Sequence, residues 1–166
     1  MAKLVLAAGV PHPPRLVYEM AQSPGTMRGE ALMKQVREQV EKALGENHPD
    51  AVIIRTLPND VLKLKKNYSG KNPPYLHHDA ADFLVSIGVK HLLVDLPSVD
   101  REEDDRKLLF HKAFWQFPHH IRKEATISEL IFVPSDVADG AYLLNLQIAS
   151  FELDASPSKP VLYCLL

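Results

Sequence analysis

The sequence predicts an α/β domain, because apolar runs of strand length alternate with segments of helical periodicity. Several of these runs are apolar on consecutive residues, which is typical of strands buried on both faces. The predicted strands cover residues 4–8, 51–54, 92–94, 130–133, 143–148 and 161–165.

Three helices are predicted between these strands. Residues 30–44 place their apolar side chains on one stripe, and Gly45 follows as a stop. Residues 79–87 form the second helix, which Gly88 ends. Residues 102–115 form the third, whose acidic first turn suits the helix dipole.

The pattern changes after the third helix, where apolar runs follow one another closely. Such spacing predicts a hairpin or meander, with a turn at Asp139 and Gly140 between residues 131–133 and 142–144. The mixed architecture is therefore expected to gain antiparallel strands towards the carboxyl terminus.

Composition bounds the function classes. A length of 166 residues fits one domain, and a net charge of −2 gives no basic patch for nucleic acid. The single cysteine, Cys164, excludes an internal disulfide and favours a reducing compartment. No apolar segment is long enough to span a bilayer. We therefore expect a cytoplasmic protein that binds neither nucleic acid nor membrane.

Two adjacent histidine pairs invite interpretation as metal ligands. His77 and His78 lie at the entry of the second predicted helix, and His119 and His120 lie in a charged loop. Neighbouring side chains usually diverge on a helix or strand. Both pairs are therefore predicted to be solvated, the first as part of a helix cap.

His111 and Glu129 are the strongest candidates for a shared site. His111 lies among apolar residues of the third predicted helix, and Glu129 begins the predicted strand at 130–133. A buried carboxylate needs a partner. The two residues are either half of a zinc or manganese site or a plain histidine–glutamate hydrogen bond.

Other polar residues follow predicted parallel strands, where open α/β sheets place their sites. Asp95 and Asp100 are either a metal-binding or acid–base pair, or an ordered turn with a helix cap. Asn59 and Asp60 are equally ambiguous. Ser98 lacks the glycines of a nucleophile elbow.

Longer stretches resemble a known family from about residue 41 to residue 166. They are AVIIRTLPND (51–60), YSGKNPPYL (68–76), HLLVDLPSVDRE (91–102), HKAFW (111–115), ATISELIFVP (125–134) and LLNLQIASFELDASPSKPVLY (143–163). These resemble the carboxy-terminal part of the cyclase family, which includes bacterial kynurenine formamidases and isatin hydrolases.

The resemblance implies a metal-dependent hydrolase of amide or lactam C–N bonds. It implies a mixed sheet forming a partly open β-barrel with flanking helices, in a homo-oligomer. It also implies that His111 and Glu129 bind the divalent metal, Zn²⁺ or Mn²⁺. The substrate would be a small amide or lactam.

The family's early motif, His-x-Gly-Thr-His-x-Asp-x-Pro-x-His, is absent. The nearest string is SPGTMRG (23–29), which has the Gly-Thr pair and neither histidine. The family's remaining ligands and catalytic histidine come from that motif. The cyclase-like domain at 41–166 is therefore expected to be incomplete at its amino-terminal side.

Residues 1–40 are interpreted as an amino-terminal strand and helix of unclear origin. Their start, MAKLVLAAGVPHPP, resembles the amino terminus of class III extradiol dioxygenases, in which the residue matching His12 binds iron. Three hypotheses follow: a cyclase-type hydrolase completed by His12 or a second chain, a non-catalytic oligomeric relic, and a dioxygenase that uses His12.

Overall fold

The computed structural model describes residues 2–6, 49–56 and 58–165. The described strands form one six-stranded sheet in the order β4-β3-β2-β1-β5-β6. They are β1 (Ala2–Leu6), β2 (Ala51–Ile54), β3 (His91–Val94), β4 (Thr126–Ser128), β5 (Ala141–Ile148) and β6 (Ser158–Cys164). The predicted helix at 30–44 and His12 lie outside the described residues.

The sheet is mixed, as predicted. Strands β1 to β4 are mutually parallel, whereas β5 pairs antiparallel with both β1 and β6. The α/β assignment and the late antiparallel strands are therefore confirmed, although the hairpin joins β5 to β6 and not residues 131–133 to 142–144. The described strands form an open row, so the barrel implied by the family resemblance stays a prediction.

The described part of the chain has two α-helices, which pack on one face of the sheet, and one exposed 3-10 helix. They are a 3-10 helix (Val61–Lys65), α1 (His78–Ser86) and α2 (Leu109–Trp115). Val52 faces a core with helix residues such as Leu84 and Phe114, whereas its neighbour Ile53 packs in a second core with Val133. Burial on both faces explains why β2 and β3 are apolar on consecutive residues. No helix in the described residues is long and apolar enough to cross a membrane.

Helix α1 lies within one residue of its predicted bounds, 79–87. His77 is its N-cap residue, and Asp79 supplies a negative charge in the first turn. At the other end Gly88 has a φ of +84°. Its amide donates to the Val85 carbonyl, and the next amide donates to the Leu84 carbonyl, each at 3.0 Å. This is the Schellman arrangement, which favours glycine at the left-handed position.

Replacing Gly88 by alanine is expected to lower the free energy of unfolding by about 1 kcal/mol, because an L-residue is strained at positive φ. No heavy atom lies within 4 Å of the added Cβ, so the loss comes from backbone conformation alone. Urea denaturation measures it. Gly140→Ala is the matched control, since Gly140 has no such φ; an equal loss in both variants would contradict this explanation.

Helix α2 is shorter than predicted, because residues 102–108 are not helical. Asp105, Arg106 and Leu108 all have positive φ, and the Asp104 carboxylate accepts the Leu108 amide at 2.6 Å. Such side-chain bonds compete with helical backbone bonds. The charged run therefore forms a loop, and the helix begins at Leu109.

The predicted strand at 130–133 is wrong. The strand in this region is β4, which ends at Ser128, and Leu130 then turns the chain with a φ of +54°. The apolar run nevertheless contributes to the hydrophobic core, because Val133 is buried in the second core. Its hydrophobicity reflects packing rather than strand pairing, and the turn at Asp139 consequently does not join two strands.

Candidate metal centre

The carboxyl ends of three parallel strands meet at one edge of the sheet. Chain segments leaving β2, β3 and β4 there carry the acidic and histidine side chains that the sequence singled out. Open parallel sheets place ligand sites at this edge. Asp95 and Asp100 follow β3, and Glu129 follows β4. Glu129 therefore lies after its strand, which corrects the prediction that it begins one.

Asp100 is a buried carboxylate that organises the start of α2. It accepts the Phe110 amide at 2.7 Å, the His111 amide at 3.3 Å and the His111 ring Nδ1 at 2.6 Å. The N-cap residue of α2 makes no side-chain cap bond, so Asp100 takes that role from another part of the chain. Burial alone would raise the pKa of Asp100, but the hydrogen bonds from His111 and the Phe110 amide lower it below its usual value.

His111 is oriented by this carboxylate. An ionised carboxylate only accepts hydrogen bonds, so Nδ1 carries a proton, and in the neutral ring the lone pair is then on Nε2. Nε2 lies 3.7 Å from Glu129 Oε1, and the His111 side chain is 17% exposed. The ring also lies against Trp115, with 5.1 Å between centroids. An imidazole fixed by a carboxylate through its second nitrogen is the common form of a metal-binding histidine.

Glu129 is held from the other side. Its Oε1 accepts the Val99 amide at 2.7 Å. The structure thus brings His111 and Glu129 together, with their separation longer than a hydrogen bond. The alternative of a plain hydrogen bond between them is wrong. Whether the pair binds a metal stays a prediction.

Asp95 does not pair with Asp100. It lies buried between the backbone amide of Thr56, at 2.9 and 3.1 Å from its two oxygens, and the Lys63 ammonium, at 2.8 Å. Lys63 also donates to the Thr56 hydroxyl at 3.0 Å. Asp95 is therefore the centre of a structural ion pair that joins β3 to the segment after β2.

The remaining polar candidates also have structural partners. Asn59 donates to the Val133 carbonyl at 2.9 Å, and Asp60 caps the 3-10 helix through the Leu62 amide at 2.8 Å. Ser98 accepts the Asp100 amide at 3.1 Å, which orders the loop after β3. These contacts explain the residues without catalysis.

The two histidine pairs differ. His77 is the N-cap of α1, as predicted, but its ring lies 4.3 Å from the His78 ring, and both approach Asp79. The expectation that these rings diverge is wrong. His119 and His120 are exposed, as predicted.

The helix cap that the sequence offered for Asp100 is present, at the start of α2, but its contact with the His111 ring was missed. The available signal was a helix without a capping residue of its own, about ten residues after an aspartate in the loop that follows a parallel strand. That signal becomes decisive only once the chain is folded.

Comparison with known proteins places the chain in a family. The family model described as "Putative cyclase" matches residues 15–101, which is more than half of the chain. The chain belongs to the cyclase family. The matched residues include β2, α1, β3 and Asp100, and they end before His111 and Glu129.

Several curated kynurenine formamidases are similar to the chain. One from Bacillus cereus (strain ATCC 10987 / NRS 248) is 36% identical over 90 residues, which are 54% of this chain and 39% of the relative. Those of Bacillus anthracis and Bacillus mycoides (strain KBAB4) are 34% and 32% identical with the same coverage. The cyclase-family chain thus spans about two fifths of the length of the curated relatives it matches.

Proposed function

We propose that this chain is a hydrolase of the cyclase type that opens amide or lactam C–N bonds with the help of a divalent metal. The observation that carries the proposal is the row formed by Asp100, His111 and Glu129 at the carboxyl ends of the parallel strands. Similarity to kynurenine formamidases supports the choice of an aryl formamide as substrate.

The side chains fit a divalent ion. His111 Nε2 and a carboxylate oxygen are donors that Zn²⁺ and Mn²⁺ accept, and Asp100 fixes the imidazole tautomer that exposes Nε2. When bound, such an ion would polarise the scissile carbonyl and lower the pKa of a water. His111 and Glu129 would hold it, while Asp100 would keep the histidine oriented and basic.

Two protein ligands are fewer than the three that catalytic zinc sites use. We propose that the missing ligands come from His12 or from a second copy of the chain in a homo-oligomer. In the same proposal the mixed sheet is part of the partly open barrel of the family. If the protein is a monomer and His12→Ala binds metal as the wild type does, neither source supplies the missing ligands.

The proposal is tested by hydrolysis of N-formylkynurenine and isatin with Mn²⁺ or Zn²⁺ supplied. We expect turnover that falls to the uncatalysed rate in His111→Ala, together with the loss of one metal equivalent per chain. His119→Ala, which changes an exposed histidine of the next loop, should match the wild type. Turnover that is absent at high enzyme, or unchanged in His111→Ala, would refute the proposal.

The absent early motif favours one second candidate. In that case the chain is a relic that keeps the cyclase architecture and an oligomer interface without catalysis. An oligomer that turns over neither substrate and binds no metal through His111 would select it.

A further inference from the structure

The entry of α1 carries a second group of metal-ligand side chains. His77, His78 and Asp79 each offer one ligand atom, and these atoms all lie within 4.8 Å of one another. His77 Nδ1 is 3.3 Å from Asp79 Oδ2, and His78 Nε2 is 3.2 Å from Asp79 Oδ1. The carboxylate thus lies between the two imidazoles with one oxygen towards each.

We propose that His77, His78 and Asp79 form a binding site for one divalent cation of the zinc class, independent of the site at His111 and Glu129. Bonds of 2.0–2.1 Å in a tetrahedral zinc complex place neighbouring ligand atoms roughly 3.3 Å apart. Each imidazole nitrogen lies at about that spacing from one Asp79 oxygen, His77 Nδ1 from Oδ2 at 3.3 Å and His78 Nε2 from Oδ1 at 3.2 Å. One ligand atom from each residue lies within 4.8 Å of the others, so a small side-chain adjustment brings one oxygen and both nitrogens around one ion. Two histidines and a carboxylate leave the fourth position for water.

Local backbone geometry explains why adjacent histidines converge. His77 is the N-cap residue and has an extended backbone, with φ −74° and ψ 142°, whereas His78 is the first helical residue. The two side chains therefore do not diverge as neighbouring side chains do within a regular helix. The Asp79 amide is 3.4 Å from His77 Nδ1, a long contact that releases this nitrogen readily.

The electrostatic surroundings favour a cation despite the helix terminus. The N-terminal end of a helix carries roughly half a positive charge, whereas Asp79 carries a full negative charge. Both histidines line a cavity of about 300 Å³. Its other charged lining residues are four acids and two bases: Asp100, Glu103, Asp104, Asp105, Arg101 and Lys107. The excess of carboxylates offsets the helix dipole and attracts a divalent ion.

The site also adjoins the candidate hydrolytic centre. Asp100 lines the cavity and at the same time accepts the proton on His111 Nδ1. A cation held by His77 and His78 would lie in a cavity that reaches this carboxylate, so the two sites share a wall and no ligand.

The test uses the full chain after chelator treatment, titrated with Zn²⁺ by calorimetry at neutral pH. We expect His77→Ala/His78→Ala to bind one equivalent fewer than the wild type. Asp79→Asn, an isosteric change of a half-exposed side chain, should weaken that equivalent by about tenfold or more. His119→Ala/His120→Ala is the matched control, since it removes an exposed adjacent pair that no carboxylate contacts in the described part of the chain.

The same titration in the His111→Ala background separates this proposal from the proposed function. The equivalent that depends on His77 and His78 should remain there, and Co²⁺ bound to it should give visible absorption that Asp79→Asn alters. Equal zinc binding by the wild type and His77→Ala/His78→Ala would overturn the second site. Loss of all zinc in His111→Ala alone would overturn it as well, while supporting the hydrolytic centre.

Discussion

Asp100→Ala is expected to lower the free energy of unfolding by about 3 kcal/mol, since each buried donor left without a partner costs about 1–3 kcal/mol. The change orphans the amides of Phe110 and His111, and Phe110 is fully buried. It also removes the acceptor for His111 Nδ1. Chemical denaturation measures the loss, and an unchanged m-value would show that the variant exposes the same surface on unfolding as the wild type.

Asp100→Asn separates the positioning of His111 from folding. The amide keeps the size of the carboxylate but no longer forces the proton onto Nδ1. Loss of such a carboxylate behind a metal-binding histidine weakens metal binding by about 10–100-fold. Asp136→Asn is the control, because Asp136 is exposed and lines neither candidate site. Equal metal binding in both variants would contradict a positioning role for Asp100.

The lowered pKa of Asp100 makes the contribution of this carboxylate to folding stability depend on pH. A carboxyl whose pKa is depressed in the folded state stabilises the protein above its unfolded pKa and loses that contribution as pH falls through its folded pKa. The stability difference between the wild type and Asp100→Asn should therefore be full at neutral pH. It should shrink as pH falls below the usual value of 3.8. A difference that stays constant over this range would exclude the carboxylate as its source.

The sheet interior was predictable because its physical signal is local. Strands β2 and β3 are buried on both faces, so consecutive apolar residues reveal them, and Gly88 marks the end of α1 by its conformational freedom. The run at 130–133 has the same composition but packs without pairing. A run of apolar residues indicates burial, whereas a β-strand also requires backbone hydrogen bonds to a neighbouring strand.

The candidate site was predictable in part. Proximity of His111 and Glu129 rested on family resemblance, since their spacing in the sequence carries no geometric information. The role of Asp100 depends on a helix that starts ten residues later, and that contact exists only after folding. The convergence of His77 and His78 does not follow from regular helical geometry, because the His77 backbone is extended.

Asp95→Ala is expected to lower the free energy of unfolding by about 3–5 kcal/mol, the usual cost of removing one partner from a buried ion pair. The Asp95 side chain is 1% exposed and that of Lys63 is 15% exposed, so the remaining ammonium lies largely away from water. The Thr56 amide also loses both of its acceptor contacts. Urea denaturation gives the magnitude.

The exposed pair of Asp50 and Lys90, with side chains 40% and 51% exposed, supplies the control. Asp50→Ala should cost less than about 1 kcal/mol, because exposed pairs are screened by water.

The double variant Lys63→Met/Asp95→Ala distinguishes two sources of the larger cost expected for Asp95→Ala. Removing the unpaired ammonium should restore part of the stability, since uncompensated buried charge is the expensive element. If the double variant is no more stable than Asp95→Ala, the loss comes from the orphaned Thr56 amide. If Asp95→Ala costs no more than Asp50→Ala, the buried pair contributes nothing beyond a surface pair.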